Sequence, residues 1–94
     1  MELKKIIKDA IKDNKVIMGY NKVIKKIKVK QLKLVVYANN IPKDKLDNIV
    51  YNAKLSGVDV KEYPDDNVNL GLFCGKPFSV GVLAIEGSKN DNSI

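Results

Sequence analysis

Apolar positions in this chain switch between a helical period and short strand-like runs, and the switches divide it into eight segments. The first segment has the spacing i, i+3, i+4, i+7, i+8, which predicts an amphipathic helix over residues 2–14. Its apolar positions are Leu3, Ile6, Ile7, Ala10 and Ile11. The apolar run 16–18 then ends at Gly19 and predicts a brief strand.

A second helical stripe begins directly after Gly19 and predicts a helix over residues 20–30. Its apolar positions are Tyr20, Val23, Ile24 and Ile27. Lysines at 22, 25 and 26 lie off this stripe, so the exposed side of the helix is predicted to be basic. Residues 32–38 form a β-prone run, and the turn sequence Asn39-Asn40-Ile41-Pro42 ends it.

The rest of the chain repeats this alternation. Pro42 begins a helix that Gly57 ends, and residues 58–63 alternate as a short strand. The buried stripe of that helix is predicted to be Leu46, Ile49, Val50 and Ala53. Asn67 is predicted to cap a last short helix, which Gly75 ends. The apolar run 80–85 predicts a buried strand, and residues 87–94 are predicted to fray.

The predicted element order is therefore α-β-α-β-α-β-α-β. Strands that alternate with helices predict an α/β fold, here a three-layer α/β/α sandwich with a small mixed four-stranded sheet. A chain of 94 residues is the size of one domain, and no repeat or linker divides it. We therefore interpret residues 1–94 as a single domain.

The composition excludes several classes of protein. Hydrophobic residues make up 45% and charged residues 30%, which is typical of a soluble globular domain. No apolar run approaches the length needed to cross a bilayer, and charges interrupt the N-terminal apolar residues, unlike a signal peptide. The single cysteine, Cys74, excludes an intramolecular disulfide and fits a reducing compartment. We expect a cytoplasmic protein without membrane contact.

The chemistry needed for catalysis is largely missing. The chain has no histidine and one cysteine, which excludes an imidazole base and a Cys/His zinc site. Neither a phosphate-loop pattern nor a dinucleotide-binding glycine pattern occurs. Asp65 and Asp66 are interpreted as a solvated turn rather than a cation site. We expect no catalytic residue, no cofactor, no metal and no small-molecule substrate.

The formal charge of +6 is concentrated in one part of the sequence. Residues 15–33 include seven lysines and no acid, whereas residues 34–94 include six lysines and eight acids. Such a concentration indicates a polyanion-binding surface. The alternative is an ordinary solvated helix face in a lysine-rich chain, and the sequence leaves both interpretations open.

Two glycine-flanked loops have residues suited to nucleic acid. Gly19-Tyr20-Asn21-Lys22 opens a helix N-terminus, whose amides bind anions, and the amide of Asn21 is able either to read a base edge or to cap the helix. Lys76-Pro77-Phe78 combines a cation for a phosphate with a ring that stacks on a base. Phe78 is alternatively the first core residue of the last strand, because it shares a face with Val80 by alternation.

Four segments together resemble a known family. They are Gly19-Tyr20-Asn21-Lys22, Ala38-Asn39-Asn40-Ile41-Pro42, Tyr51-Asn52-Ala53-Lys54-Leu55-Ser56-Gly57 and Leu70-Gly71-Leu72-Phe73-Cys74-Gly75-Lys76-Pro77-Phe78. Their order and spacing resemble the "L-thirty-e" family of archaeal and eukaryotic ribosomal proteins, within the "L-seven-Ae" superfamily of kink-turn RNA binders. The resemblance extends over residues 3–86, nearly the whole chain.

The resemblance implies an α/β/α sandwich without catalysis that binds a sharply bent RNA internal loop with sheared G·A pairs. By position, Gly19, Asn21 and Lys22 would meet the G·A pairs and adjoining phosphates, and Asn40 and Lys45 would flank them. The loop 75–78 would receive the extruded nucleotide. The complete predicted RNA-binding set is Gly19, Tyr20, Asn21, Lys22, Lys25, Asn40, Lys45, Gly75, Lys76, Pro77 and Phe78.

The implied partners are an rRNA kink-turn and neighbouring large-subunit ribosomal proteins, with the free protein a monomer. Lys22 favours the ribosomal branch, because relatives in RNA-modification ribonucleoproteins usually have Glu at this position. The alternative within RNA binding is a core protein of box C/D or H/ACA ribonucleoproteins, or of ribonuclease P. A different class also stays open, namely a protein-interaction module whose basic face contacts an acidic partner.

Overall fold

The computed structural model describes residues 3–29 and 32–87. Their order of elements is the predicted one, and the predicted frayed tail lies outside the described residues apart from Gly87. The helices are α1 (Leu3–Lys12), α2 (Tyr20–Lys28), α3 (Lys43–Ser56) and α4 (Asn67–Phe73). The strands are β1 (Val16–Met18), β2 (Leu32–Tyr37), β3 (Asp59–Glu62) and β4 (Val82–Glu86).

The four strands form one sheet in the order β1-β4-β2-β3. β4 lies antiparallel to both neighbours, so that Ala84 is opposite Ile17 on one side and Val35 on the other. β2 and β3 are parallel, with Val35 opposite Val60. The predicted mixed four-stranded sheet is confirmed, and it includes one parallel pair and two antiparallel pairs.

Each face of the sheet is covered by two helices, which confirms the three-layer sandwich. One core joins α1 and α4 to the sheet and is centred on Ile7, Leu70 and Leu83. The other joins α2 and α3 to the opposite face, through residues that include Val23 and Ile49. Neighbouring residues of β2 and β4 alternate between these two cores because successive side chains of a strand point to opposite faces.

Three local predictions differ from the structure. β4 begins at Val82 rather than at residue 80, although Val80 is buried beside the strand. Val50, predicted for the buried stripe of α3, is 37% exposed. Asn67 does not cap α4 but is its first residue, because the N-cap is Asp66, whose carboxylate accepts from the backbone N–H of Asn69.

None of the helices in the described part of the chain has the length and apolar character needed to span a membrane. The longest of them, α3, has 14 residues, and several of these are charged. The described elements form a small sandwich. We expect a binding site in the loops that connect its helices and strands.

Asp66 provides a test of how α4 begins. Its carboxylate accepts from the backbone N–H of Asn69 at 2.9 Å, which satisfies one of the free donors of the first helical turn. We expect Asp66→Ala to lower the free energy of unfolding by about 1 kcal/mol, measured by urea denaturation. Asp66→Asn is the matched control, because Asn caps about as well as Asp. Equal losses in both variants would contradict the capping role.

Candidate nucleic-acid interface

Three chain segments meet at one end of the sheet. They are the N-terminus of α2, the loop from β2 to α3, and the loop from α4 to β4. The backbone N–H of Gly19 donates to the carbonyl of Val82 at 3.0 Å, and that of Ala38 donates to the carbonyl of Gly81 at 2.8 Å. Because the start of β4 lies between the ends of β1 and β2, these bonds hold the three segments side by side.

Two clefts lie among these segments and share Gly81 at their boundary. The larger has a volume of about 500 Å³, and its lining includes Gly19, Lys22, Lys76 and Phe78. The smaller has a volume of about 270 Å³, and its lining includes the predicted residues Tyr20, Asn40 and Lys45. Residues that are far apart in the sequence therefore form one surface.

The remaining predicted residues lie around these clefts rather than inside them. Pro77 lines an adjoining apolar depression together with Val68, Leu72 and Phe78. Asn21 and Lys25 are exposed on α2, and Gly75 ends α4 with a φ of +73°, a conformation that favours glycine. The structure thus brings seven of the eleven predicted residues into the two clefts and leaves four at their margin.

The loop from α4 to β4 lies directly against the helix before it, and Gly71 makes this possible. A Cβ atom at Gly71 would lie 2.2 Å from the carbonyl oxygen of Phe78, a distance that backbone atoms do not tolerate. The carbonyl of Gly71 also accepts from the backbone N–H of Lys76 at 3.0 Å. Gly71 therefore determines where Lys76 and Phe78 lie.

The position of Phe78 decides between the two interpretations of this residue. Its side chain is 57% exposed, and β4 begins only four residues later, at Val82. Val80 and Leu83 are buried in the core that Phe78 was alternatively expected to join. Phe78 is therefore a loop residue whose ring is available for contact.

Asn40 has a structural role that the sequence did not reveal. Its Oδ1 accepts from the backbone N–H of Asn67, and its Nδ2 donates to Oδ1 of Asn67, both at 3.0 Å. These two bonds connect the loop from β2 to α3 with the first turn of α4. One amide side chain thereby joins one of the three segments that surround the clefts to the start of α4.

Tyr20 and Lys45 form a second connection across the smaller cleft. The Nζ of Lys45 lies 5.3 Å from the centroid of the Tyr20 ring, within the range of a cation–π interaction. The Tyr20 hydroxyl accepts a hydrogen bond from Nδ2 of Asn48. Asn52 holds Asn48 in turn, since its Nδ2 donates to the Asn48 backbone carbonyl at 2.8 Å. Sequence reasoning missed Asn48, whose position one turn after Lys45 was the available signal.

The clefts are positively charged. Lys22, Lys45 and Lys76 are among their lining residues, and no acidic residue of the described chain lines either cleft. The other lysines of the basic segment are more dispersed. Nζ of Lys26 lies 3.9 Å from Oε2 of Glu86, at the opposite end of β4. Of the six lysines of residues 15–33 that the structure describes, only Lys22 lines one of these two clefts, so these six lysines do not form one patch.

The described residues offer no group of three or more Cys, Asp or Glu side chains that would hold a metal ion. Asp65 and Asp66 are used locally, because both carboxylates accept from the side-chain amide of Asn69. Burial raises the pKa of the Cys74 thiol, and nearby Lys76 opposes this effect only in part. Cys74 is thus a packed core residue rather than a thiolate.

Comparison with known proteins agrees with this geometry. The sequence matches the model of the "Ribosomal protein L7Ae/L30e/S12e/Gadd45 family" over residues 1–94. It is 42% identical to the large ribosomal subunit protein eL30 of Methanocaldococcus jannaschii over 92 residues, which cover 96% of this chain and 84% of the relative. The eL30 protein of Methanothermobacter thermautotrophicus is also 42% identical, with 92% and 88% covered.

The chain belongs to this ribosomal protein family. The resemblance inferred from the four sequence segments is thereby confirmed, and the naming of the relatives as ribosomal proteins agrees with a non-enzymatic protein.

Solved structures show the same fold at low sequence identity. A 15.5 kD RNA-binding protein of Giardia lamblia superposes with a TM-score of 0.76 at 17% identity, covering 97% of this chain and 76% of that one. A Bacillus halodurans protein of unknown function gives a TM-score of 0.81 at 16% identity, covering 96% of this chain and 89% of that one. The fold of the family is therefore shared beyond its close sequence relatives.

The close approach between Gly71 and the backbone of Phe78 leads to a prediction about the stability of the protein. In Gly71→Ala, the new methyl group has to displace backbone atoms of Phe78 and Ser79, so we expect a loss of about 1–3 kcal/mol in the free energy of unfolding. Gly81→Ala is the control, since its Cβ would meet only the side chain of Ile41, at 3.3 Å. Urea denaturation compares the two variants. Similar small losses in both would show that the loop does not depend on Gly71.

Proposed function

We propose that this chain is a structural protein of the large ribosomal subunit that binds and stabilises a kink-turn in rRNA through a single RNA-binding domain. The observation that supports this proposal most directly is the pair of lysine-lined clefts beside the exposed ring of Phe78. Membership in a ribosomal protein family supports rRNA as the polyanion that binds these clefts. The protein acts within the ribosome in the cytoplasm and is a monomer before assembly.

Each side of the site has a distinct role in this proposal. The backbone amides at the start of α2, with Lys22, bind phosphates beside the bend, because a helix N-terminus and a lysine both favour an anion. Gly19 has a φ of +108°, so its backbone leaves the sheet in a conformation that favours glycine and lets the RNA approach closely. Asn21, exposed next to it, reads the edge of a base.

The loop 75–78 receives an unpaired nucleotide. The exposed ring of Phe78 stacks on the base, and Pro77 and the left-handed Gly75 hold the loop in shape. Lys76 neutralises the phosphate of that nucleotide at the rim of the larger cleft. Lys45, held over Tyr20, contacts the RNA from the opposite side, and Lys25 adds a phosphate contact one turn along α2.

A kink-turn fits this surface better than a straight duplex does. The basic groups line two clefts that share Gly81, and the exposed ring of Phe78 lies beside them. A regular helix keeps its bases stacked and offers no base to that ring, whereas proteins recognise single-stranded bulges through splayed bases. The alternative role, in an RNA-modification ribonucleoprotein or ribonuclease P, would use the same surface. The names of the eL30 relatives favour the ribosomal role.

Binding to two matched RNAs tests the proposed function. One RNA has an internal loop with sheared G·A pairs, and the other is a straight duplex of the same length with the loop replaced by complementary pairs. At one fixed salt concentration, we expect tighter binding to the bent RNA by at least about tenfold, measured by filter binding. Equal affinity would contradict kink-turn recognition, and no affinity for either RNA would favour the acidic-protein alternative.

Co-sedimentation of the endogenous protein with large subunits at high salt separates the ribosomal role from the other ribonucleoproteins.

Phe78 provides the sharpest single-residue test. Because its ring is largely exposed, Phe78→Ala should change the free energy of unfolding by less than about 1 kcal/mol, while the affinity for the bent RNA should fall by about 1–3 kcal/mol. Tyr51→Ala is the matched control, since Tyr51 is 63% exposed on α3 and away from the clefts. Urea unfolding and RNA binding are measured on the same preparations. Unchanged affinity of the folded Phe78→Ala protein would remove Phe78 from the site.

A further inference from the structure

A row of lysines on α1 lies outside the site described above. Lys4, Lys8 and Lys12 are spaced by four residues, so they share one side of the helix, and all three are exposed. The row extends about 12 Å along the axis, since an α-helix rises about 1.5 Å per residue. Like charges at this spacing oppose helix formation, so the row brings no benefit to the free helix.

Aromatic contacts determine which way this row faces. The Nζ of Lys4 lies 5.9 Å from the ring centroids of both Tyr63 and Phe73, and the Nζ of Lys8 lies 5.9 Å from that of Phe73. Phe73 is the last residue of α4, and Lys76 follows three residues later. The row therefore lies on the α4 side of α1, and the α4 chain leads from it directly into the loop with Lys76.

Asp9, the one acidic residue of α1, directly follows Lys8 and is turned away from Lys4 and Lys8, although it lies one turn from Lys12. Asp9 and Asp13 line a separate cavity, together with Lys15, Lys33 and Glu86. Within residues 3–29 and 32–87, the ion pairs are Lys26–Glu86 and Lys43–Asp47, so neither involves a lysine of α1. None of the three lysines of the row therefore forms an ion pair within this part of the chain.

We propose that Lys4, Lys8 and Lys12 bind the phosphate backbone of a helical stem that adjoins the bend in the same RNA. The inference rests on the proposed function, because it needs an RNA already seated against the loop 75–78. Phosphates follow one another within a few ångströms along one strand of a helical stem, so a row about 12 Å long faces several of them. Compact ammonium groups on flexible stems suit such contacts, which position the RNA without reading its sequence.

The experiment compares the full-length protein on two RNAs that share the same bend. In the first RNA both stems are short. The second RNA is made in two versions, and each version extends a different one of the two stems by one helical turn. The test variant is Lys4→Gln/Lys8→Gln/Lys12→Gln. The control variant is Lys26→Gln/Lys28→Gln/Lys54→Gln, which loses the same charge on α2 and α3, the helices that cover the opposite face of the sheet. Gln keeps good helix propensity, and circular dichroism with urea unfolding gives the folded fraction.

On one of the extended RNAs, we expect the slope of log affinity against log salt to be smaller by about 2–3 for the α1 variant than for wild type. On the short RNA the two slopes should agree, and the control variant should match wild type on all RNAs within about 1. Lys4→Arg/Lys8→Arg/Lys12→Arg should restore the slope on the extended RNA, because it keeps the charges. If Arg restores the slope, the effect of the Gln variant is due to the lost charge and not to a loss of folding.

Several outcomes would overturn the inference. They are equal losses in the α1 and control variants, a loss as large on the short RNA as on the extended ones, or no loss on any RNA. If the α1 variant binds RNA normally but loses an acidic protein partner, the row serves protein contacts instead. A different result would contradict the proposed function itself, namely that the wild-type protein binds bent and straight RNA of equal length with the same affinity.

Discussion

The pairing of β4 with both β1 and β2 is the constraint on which the rest of this structure depends. The strand nearest the end of the described chain enters between two earlier strands. The carbonyl of Gly81, just before β4, accepts from the backbone N–H of Ala38, and that of Val82, its first residue, accepts from Gly19. Because of this insertion, the loop before β4 lies between the start of α2 and the loop after β2. Each of the two clefts is therefore a consequence of strand order.

The second requirement is a close approach between a helix and the loop that follows it. Gly71 lets the backbone of Phe78 and Ser79 lie against α4, in a space that any side chain would fill. Asn40 then connects the start of the same helix to the loop after β2. This helix of seven residues, which Asp66 caps, thus positions both Lys76 and the ring of Phe78.

Electrostatics in this protein are organised in three dimensions rather than along the sequence. Residues 15–33 have the greatest density of lysine, yet Lys22 lines a cleft while Lys26 pairs with Glu86 at the other end of the sheet. In α1, Asp9 directly follows Lys8 in sequence, but Lys4 and Lys8 lie near the ring of Phe73 while Asp9 lines a separate cavity. A charge count by segment cannot detect either arrangement.

Periodicity alone determined the order and type of all eight elements, because each helix or strand is specified by the spacing of its own apolar residues. Glycine chemistry also located the helix ends at Gly57 and Gly75, since their left-handed conformation is a local preference. The predictions were wrong where contacts with residues remote in the sequence determine the local structure. The last strand was predicted to begin at residue 80, but it begins at Val82, where pairing with β1 and β2, which are remote in sequence, starts.

The candidate site shows the same division between sequence and tertiary structure. Motif resemblance indicated its residues, but the sequence left Phe78 open between core and surface, because alternation places it on the same face as Val80. Only the tertiary structure decided that β4 begins at Val82, which leaves the ring of Phe78 exposed. Only the tertiary structure placed Lys45 over Tyr20 and Asn48 behind it. Local spacing specifies which residues a helix or strand buries, whereas contacts between separate elements depend on strand order and close packing, which no single segment of sequence encodes.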